Sequence, residues 1–368
     1  MIFHSHKGYP ERRNFLNSRL VRFKQSVDVF KLICHISFKW LNNIPQWGLN
    51  LYWHPFKSRK ATLHFFNGIA LSRQRFVTTF ETALPRLGKV PTWLNSWAVK
   101  RLAGNDCLGL IAISQCTYNI QKQFLEEKHP HLSAAIMAKT IVLHPPQPVL
   151  VERVRERVIA PVIFTFVGNQ FFGKGGREIL ATFQKLHAEG YNFQLNIISN
   201  FSPDGYASHT TQKDTEELNA RFATLPPSIS IIGKLPNNEL LTLLKQSHVA
   251  LMPTYADTYG YFVLEAQACG CPVITTDIRA LPEINNNECG WVIKVPKDTL
   301  GNGVLHIPEE RAMFSKTIEK ELYTTVKEIL ASPEIIQPKA AAALRRIKEE
   351  HDPERHAQRL VEVYGLGK

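Results

Sequence analysis

From about residue 61 onward the chain alternates short apolar runs with stretches of helical periodicity. That alternation marks βα units, in which crossover helices cover both faces of a parallel sheet. In the first half, strands are expected at 61–66, 75–80, 108–114 and 140–144. In the second half they are expected at 162–169, 193–199, 228–234, 249–255, 272–277 and 290–295. Helices fit between them, as at 175–188, 237–246 and 262–268, and the chain after Pro308 reads as mostly helical. Between the two series stands His144-Pro145-Pro146-Gln147-Pro148, a stiff, non-helical connector.

The first 60 residues carry two conflicting periods. Leu16, Leu20, Phe23, Val27 and Phe30 recur at helical spacing, with Arg12, Arg19, Arg22 and Lys24 around the other side. Phe30, Leu32, Cys34, Ile36 and Phe38 alternate as a strand would. The whole length, 368 residues, exceeds what one compact core usually holds. The expected organisation is a first domain at 1–148, with a divergent basic segment at 1–60, and a second at 149–345. A terminal helix, 346–368, is expected to return towards the first domain.

Charge divides the chain unevenly. The formal net charge is +12, and residues 1–150 hold 20 Lys and Arg against 6 Asp and Glu. The remainder is close to neutral, so one half alone faces an anionic surface or ligand. No stretch reaches the ~20 apolar residues of a membrane helix, and the start, MIFHSHKGYPERR, lacks the apolar core of a signal peptide. Cys34, Cys107 and Cys116 have no metal-ligand spacing, and reduced, mostly buried thiols are expected. The expected location is cytoplasmic, and the basic and apolar residues 12–41 read either as a segment docking on the inner face of the membrane or as an ordinary helix and strand packed on the domain core.

The segment from Pro253 to Ile274 is the richest in chemistry. A buried strand ends, a polar loop follows, and an apolar helix starts near Tyr259. Asp257 then lies just before a helix amino terminus, where free N–H groups and the helix dipole favour an anion. Glu265, about two turns along, can accept hydrogen bonds from vicinal hydroxyls such as those of a ribose. Taken singly, Asp257 also reads as an ordinary helix cap and Glu265 as a solvated helix residue. At the carboxyl ends of parallel strands, the pair is more suggestive of a ligand site.

This segment resembles the acidic motif of retaining GT-B glycosyltransferases of the family-four (group 1) type: two acids separated by seven residues, then Gly270 and Pro272-Val-Ile. Phe166-Val-Gly168-Asn169-Gln-Phe-Phe-Gly-Lys174-Gly175 resembles that family's first donor-domain turn, and Ile232-Gly233-Lys-Leu235 and Leu281-Pro-Glu283-Ile follow in the family's order. The resemblance implies an α/β fold of GT-B type, two Rossmann-like parallel-sheet domains facing a cleft, here with a shortened or divergent first domain. It implies a nucleoside-diphosphate sugar, UDP- or GDP-linked, as co-substrate, with no metal or other cofactor. It places Gly168, Asn169, Gly233, Thr258, Tyr259, Gly260, Tyr261 and Glu265 at the donor, the last on the ribose. Lys174 would neutralise the leaving diphosphate, and Asp257 would sit near the donor sugar. Fixed ammonium and amide groups would stabilise the charge that develops as the glycosyl–phosphate bond breaks.

Two positions depart from the family. Asn169 stands where an arginine is usual, with Arg177 one turn beyond Lys174 as a substitute, and the first acid is Asp257 rather than Glu. In the first domain no opening strand and glycine-rich turn is evident, and four strands from 61 onward are few. Glu81 occupies the strand end where relatives often carry a histidine, and reads either as a partner of the acceptor hydroxyl, as base or hydrogen-bond acceptor, or as a polar residue at a loop start. Asn67-Gly68 reads as a turn, and Ser114 as a helix cap. The expected activity is sugar transfer, with retention, to an anionic, glycan or lipid-linked acceptor in polysaccharide or lipopolysaccharide synthesis. The alternatives are a non-catalytic nucleotide-binding module and, from the charge alone, a nucleic-acid binder, for which no motif is present.

Overall fold

The computed structural model describes residues 2–5, 13–25, 28–30, 50–54, 61–154 and 161–365. They form two units, Met1–Pro146 with His351–Lys368, and Gln147–Glu350.

The first unit is built on a six-stranded sheet of β1 (Ile2–Ser5), β2 (Arg22–Gln25), β4 (Leu63–Phe66), β6 (Phe76–Phe80), β7 (Cys107–Ala112) and β8 (Thr140–Val142). The order is β2-β1-β4-β6-β7-β8 and every pairing is parallel. A separate ribbon pairs β3 (Leu51–Tyr52) with β5 (Ile69–Ala70). Helices α1 (Thr92–Ala103), α2 (Gln115–Lys128) and α3 (Pro130–Met137) make the crossovers. The expectation of four strands is corrected here, because β1 and β2 complete the sheet. The helical reading of residues 16–30 fails over Phe23, which lies in β2, and Leu20 is 42% exposed. Among the described residues of this segment Phe15 and Val21 are the buried hydrophobic positions, because pairing of β2 with β1 overrides the local period.

The second unit carries β9 (Val162–Gly168), β10 (Phe193–Ser199), β11 (Ile229–Ile231), β12 (Val249–Met252), β13 (Val273–Thr276) and β14 (Gly290–Ile293). The order is β11-β10-β9-β12-β13-β14, all parallel. This doubly wound arrangement reverses direction between β9 and β12, and such sheets bind ligands outside the carboxyl ends of the strands at that point. The helices are α4 (Gly176–Ala188), α5 (Gln212–Phe222), α6 (Asn237–Gln246), α7 (Tyr261–Ala268), the short α8 (Leu281–Ile284), α9 (Pro308–Ala331) and α10 (Ile336–Glu350).

The last helix, α11 (Pro353–Val363), belongs to the first unit, where Ala357, Leu360 and Tyr364 join Val21, Val77 and Ile111 in one core. Gly109 makes room for it, since a Cβ there would lie 2.7 Å from Val363 Cγ1. Buried His64 ties the same contact together, with Nδ1 2.6 Å from the Tyr364 hydroxyl and Nε2 2.8 Å from Thr79 Oγ1. No helix among the described residues is long and apolar enough to cross a membrane.

Candidate functional site

The loops after β9 and β12 meet at the reversal of the second sheet. Gly168 ends β9 with no side chain because a Cβ there would lie 2.9 Å from Lys174 Cβ and Cγ. Lys174 therefore crosses the strand end. Gly175, at φ +80°, approaches the next loop so closely that a Cβ would lie 2.2 Å from the Pro253 carbonyl oxygen. The two loops are stitched by Tyr255 N–H to the Gly173 carbonyl at 3.0 Å and by the Thr254 hydroxyl to the same oxygen at 3.1 Å. This frame delivers the Lys174 ammonium to Asp257 Oδ2 and to the Ala256 carbonyl, both at 2.7 Å.

Asp257 Oδ1 accepts the Tyr259 N–H at 2.9 Å, and the Gly260 amide also bonds to this carboxylate. Burial pushes the Asp257 carboxyl up, but the charge and hydrogen bond of Lys174 and these amides outweigh it and hold the group below its ordinary value. In this arrangement the amides of Tyr259 and Gly260 bond to the Asp257 carboxylate. Gly260, at φ +96°, caps α7, so the helix starts at Tyr261 rather than near Tyr259. Glu265 lies about one turn inside the helix, not two, and is 5% exposed, which rules out the solvated-residue alternative.

Asp257 and Thr258 line a cavity of about 620 Å³ at the carboxyl edge of the sheet, within the range of small-molecule sites. Gln170, Tyr255, His209 and Arg279 also line it, together with Asp298 and Asn302 from the loop after β14. Asn169 is exposed on the loop after β9. Gly233, at φ +73° with open space around its Cβ position, follows the edge strand β11 at the same end of the sheet. Arg177 is the residue the geometry sets apart. Its guanidinium reaches Asp214 at 3.5 Å and lies over Phe172 at 5.2 Å, away from the cavity walls.

In the first unit, Glu81 follows β6 and pairs with Arg86 at 2.5 Å. It also accepts from Asn67 Nδ2 at 3.2 Å, while Asn67 Oδ1 accepts the Glu81 N–H at 3.2 Å. Asn67 is left-handed at φ +57°, and a Cβ on Gly68 would meet the Tyr52 ring at 2.1 Å. Asn67-Gly68 is therefore a tight turn that also positions Glu81. Ser114 caps α2 by accepting the Thr117 N–H at 3.0 Å.

Sequence reasoning missed Arg279, His209 and the Asp298–Asn302 loop. Arg279 and His209 are left-handed non-glycine residues, at φ +48° and +51°, and both line the cavity. Nothing in residue type or spacing signals a positive φ at Arg or His, so this part of the site has no local sequence mark.

Two Rossmann-like units, the second with a lysine–carboxylate pair at its switch point, define the GT-B class of glycosyltransferase folds. HepE of Anabaena, solved in complex with UDP, matches with a TM-score of 0.59 over 99% of both chains at 11% identity. A glycosyltransferase from Rickettsia africae matches with a TM-score of 0.58 at 16% identity, over 99% of this chain and 89% of its own. At these identities the likeness establishes the fold.

Residues 154–321 match the family described as glycosyl transferases group 1. Among curated relatives, a glycogen synthase of Mycobacterium tuberculosis is 26% identical over 204 residues, 55% of this chain and 42% of its own length. The capsular polysaccharide biosynthesis glycosyltransferase CapM of Staphylococcus aureus is 26% identical over 133 residues, 36% of this chain and 32% of its own. The chain therefore matches less than half the length of either relative.

Proposed function

We propose that this chain transfers a sugar from a nucleoside-diphosphate donor to a glycan or lipid-linked acceptor, with retention at the anomeric carbon. The observation that carries the reading is the Lys174–Asp257 pair, 2.7 Å apart, at the switch point beside the amino terminus of α7. Breaking the glycosyl–phosphate bond leaves extra negative charge on the diphosphate. A pre-oriented ammonium stabilises that charge more in the transition state than in the ground state, which is what accelerates the step. Asp257 holds the ammonium in place before substrate arrives, and Glu265 on α7 takes the ribose hydroxyls. With this charge supplied by side chains, the reaction needs no divalent metal, and activity should persist in EDTA. Glu81, held by Asn67 and Arg86, is the candidate partner of the acceptor hydroxyl.

The relatives' roles in glycogen and capsular polysaccharide synthesis favour a polysaccharide or lipid-linked glycan as acceptor. The basic first half favours an anionic acceptor or one presented at an anionic surface. Of the proposed membrane segment 12–41, residues 13–25 and 28–30 are described, β2 among them, and the rest lies outside the described residues.

The test is nucleoside-diphosphate release from a panel of UDP- and GDP-sugars, with and without glycan acceptors. Wild type should turn over one donor, and Lys174→Ala should lower kcat about 10²–10³-fold, the usual effect of removing one such stabilising group. Glu265→Ala should chiefly weaken nucleotide binding. Tight nucleotide binding without turnover of any donor would favour the non-catalytic reading instead.

A further inference from the structure

Lys174 is the expected diphosphate cation, yet its charge is already matched by Asp257, which also takes the amides of Tyr259 and Gly260. Asn169 brings no charge, and Arg177 is turned to Asp214. A diphosphate entering this site brings at least two negative charges, so the cavity needs a further cation. We infer that Arg279 supplies it, as a diphosphate-binding residue of the cavity. This inference rests on the donor-site reading above.

Three observations support it. Arg279 lines the same cavity as Asp257 and Thr258. Its guanidinium is oriented in advance, with Nη1 donating to Asn302 Oδ1 at 2.8 Å, while its backbone N–H donates to the Gly301 carbonyl at 2.8 Å. Asn302 is itself fixed, since its N–H and Nδ2 both donate to Asp298, at 2.8 and 2.9 Å. Those bonds hold the Asp298 carboxyl below its ordinary value against the upward push of burial. Finally, Arg279 sits at φ +48°, a conformation that glycine enters freely and a side chain enters under strain. Strained backbone that persists at a ligand cavity is a mark of function, because the same turn would form more easily without the side chain. A planar guanidinium matches two phosphate oxygens at once, which a surface lysine does not.

The strain makes the test clean. Arg279→Gly and Arg279→Asn both suit the left-handed turn and remove the charge, whereas Arg279→Lys keeps charge without the planar fork. Titrations of the full chain with UDP, uridine, GDP and guanosine, alongside thermal unfolding, give the readout. Both neutral variants should melt at or above the wild-type temperature yet bind the preferred nucleoside diphosphate at least tenfold more weakly. Affinity for the phosphate-free nucleoside should not change, and Arg279→Lys should fall between. Equal nucleoside-diphosphate affinity in wild type and Arg279→Gly removes the inference while leaving the donor site intact. Failure of wild type to bind either diphosphate removes the donor-site reading, and this inference with it.

Discussion

Among single residues, the distinction between buried and exposed acids carries most of the chemistry. Asp257 and Glu265 were legible as a pair because their spacing sits between a strand end and Gly270. That Glu265 is nearly inaccessible, and that Asp257 consumes two amides, depended on where α7 begins. His64 offers a prediction of a different kind. Burial, and then the nearby His356, lower its pKa to about 3 from 6.5, while Tyr364 and Thr79 hold the neutral ring and the Phe15 ring packs against it, tilted, at 4.3 Å. A lowered histidine value means the unfolded chain binds a proton that the folded chain refuses. Its contribution is therefore full above about pH 6.5 and is lost as pH falls towards 3. At pH 5 the loss from this one group is about 2 kcal/mol at 1.36 kcal/mol per pH unit. Thermal unfolding should show a lower Tm at pH 5 than at pH 7, and His64→Gln should flatten that slope. An unchanged slope in the variant would locate the acid sensitivity elsewhere, for instance in half-buried His356, also lowered to about 3 by burial and then His351.

At the level of elements, loops after strands decide the site while the strands only present it. The strand positions from 61 onward follow from apolar runs, and their observed bounds lie within a residue or two of expectation at 162–168, 193–199 and 273–276. The loops depend on glycine conformations that spacing does not reveal. Gly175 is the clearest case: a methyl there meets the backbone oxygen of Pro253, which cannot rotate away. Gly175→Ala should destabilise the second unit by at least about 2 kcal/mol, from left-handed strain plus the clash. It should also displace Lys174 from Asp257. Chemical denaturation and the donor-turnover assay measure the two effects together, and a neutral result in both would show that the loop is not held as described. In the first unit, α11 gives a matching test. Leu360, 1% exposed in the core with Val77 and Ile111, should cost about 2–5 kcal/mol when changed to Ala.

Over the whole molecule, the charge asymmetry is now attached to one unit. From Leu84 to Asn105 the chain carries Arg86, Lys89, Lys100 and Arg101 and no acidic residue. The same stretch exposes Trp93 by 70% at the start of α1. Arg86 pairs with Glu81 and Arg101 with Asp106, which leaves Lys89 and Lys100 beside Trp93 as the groups that suit an interface of anionic lipid, at about 1 kcal/mol for each basic residue near the surface. The chain should co-sediment with vesicles containing phosphatidylserine and not with neutral ones. Trp93→Ala combined with Lys89→Ala and Lys100→Ala should reduce the recovery. Equal recovery with both vesicle types would leave a soluble anionic acceptor as the partner of this unit.

By itself the sequence determined the α/β class, the two series of strands and the acidic spacing at 257 and 265. Those features are local, because hydrophobic period and turn residues act within a few positions. Through an ordered set of motifs, rather than any single one, it also pointed by resemblance to Lys174, which the structure places against Asp257. Only the tertiary structure joined β1 and β2 to the first sheet and brought Arg279 and the Asp298–Asn302 loop to one cavity. Each of these joins residues far apart along the chain. Parallel pairing and long-range packing, not local preference, set their partners, and strand pairing in β2 overrode the helical period written into its residues.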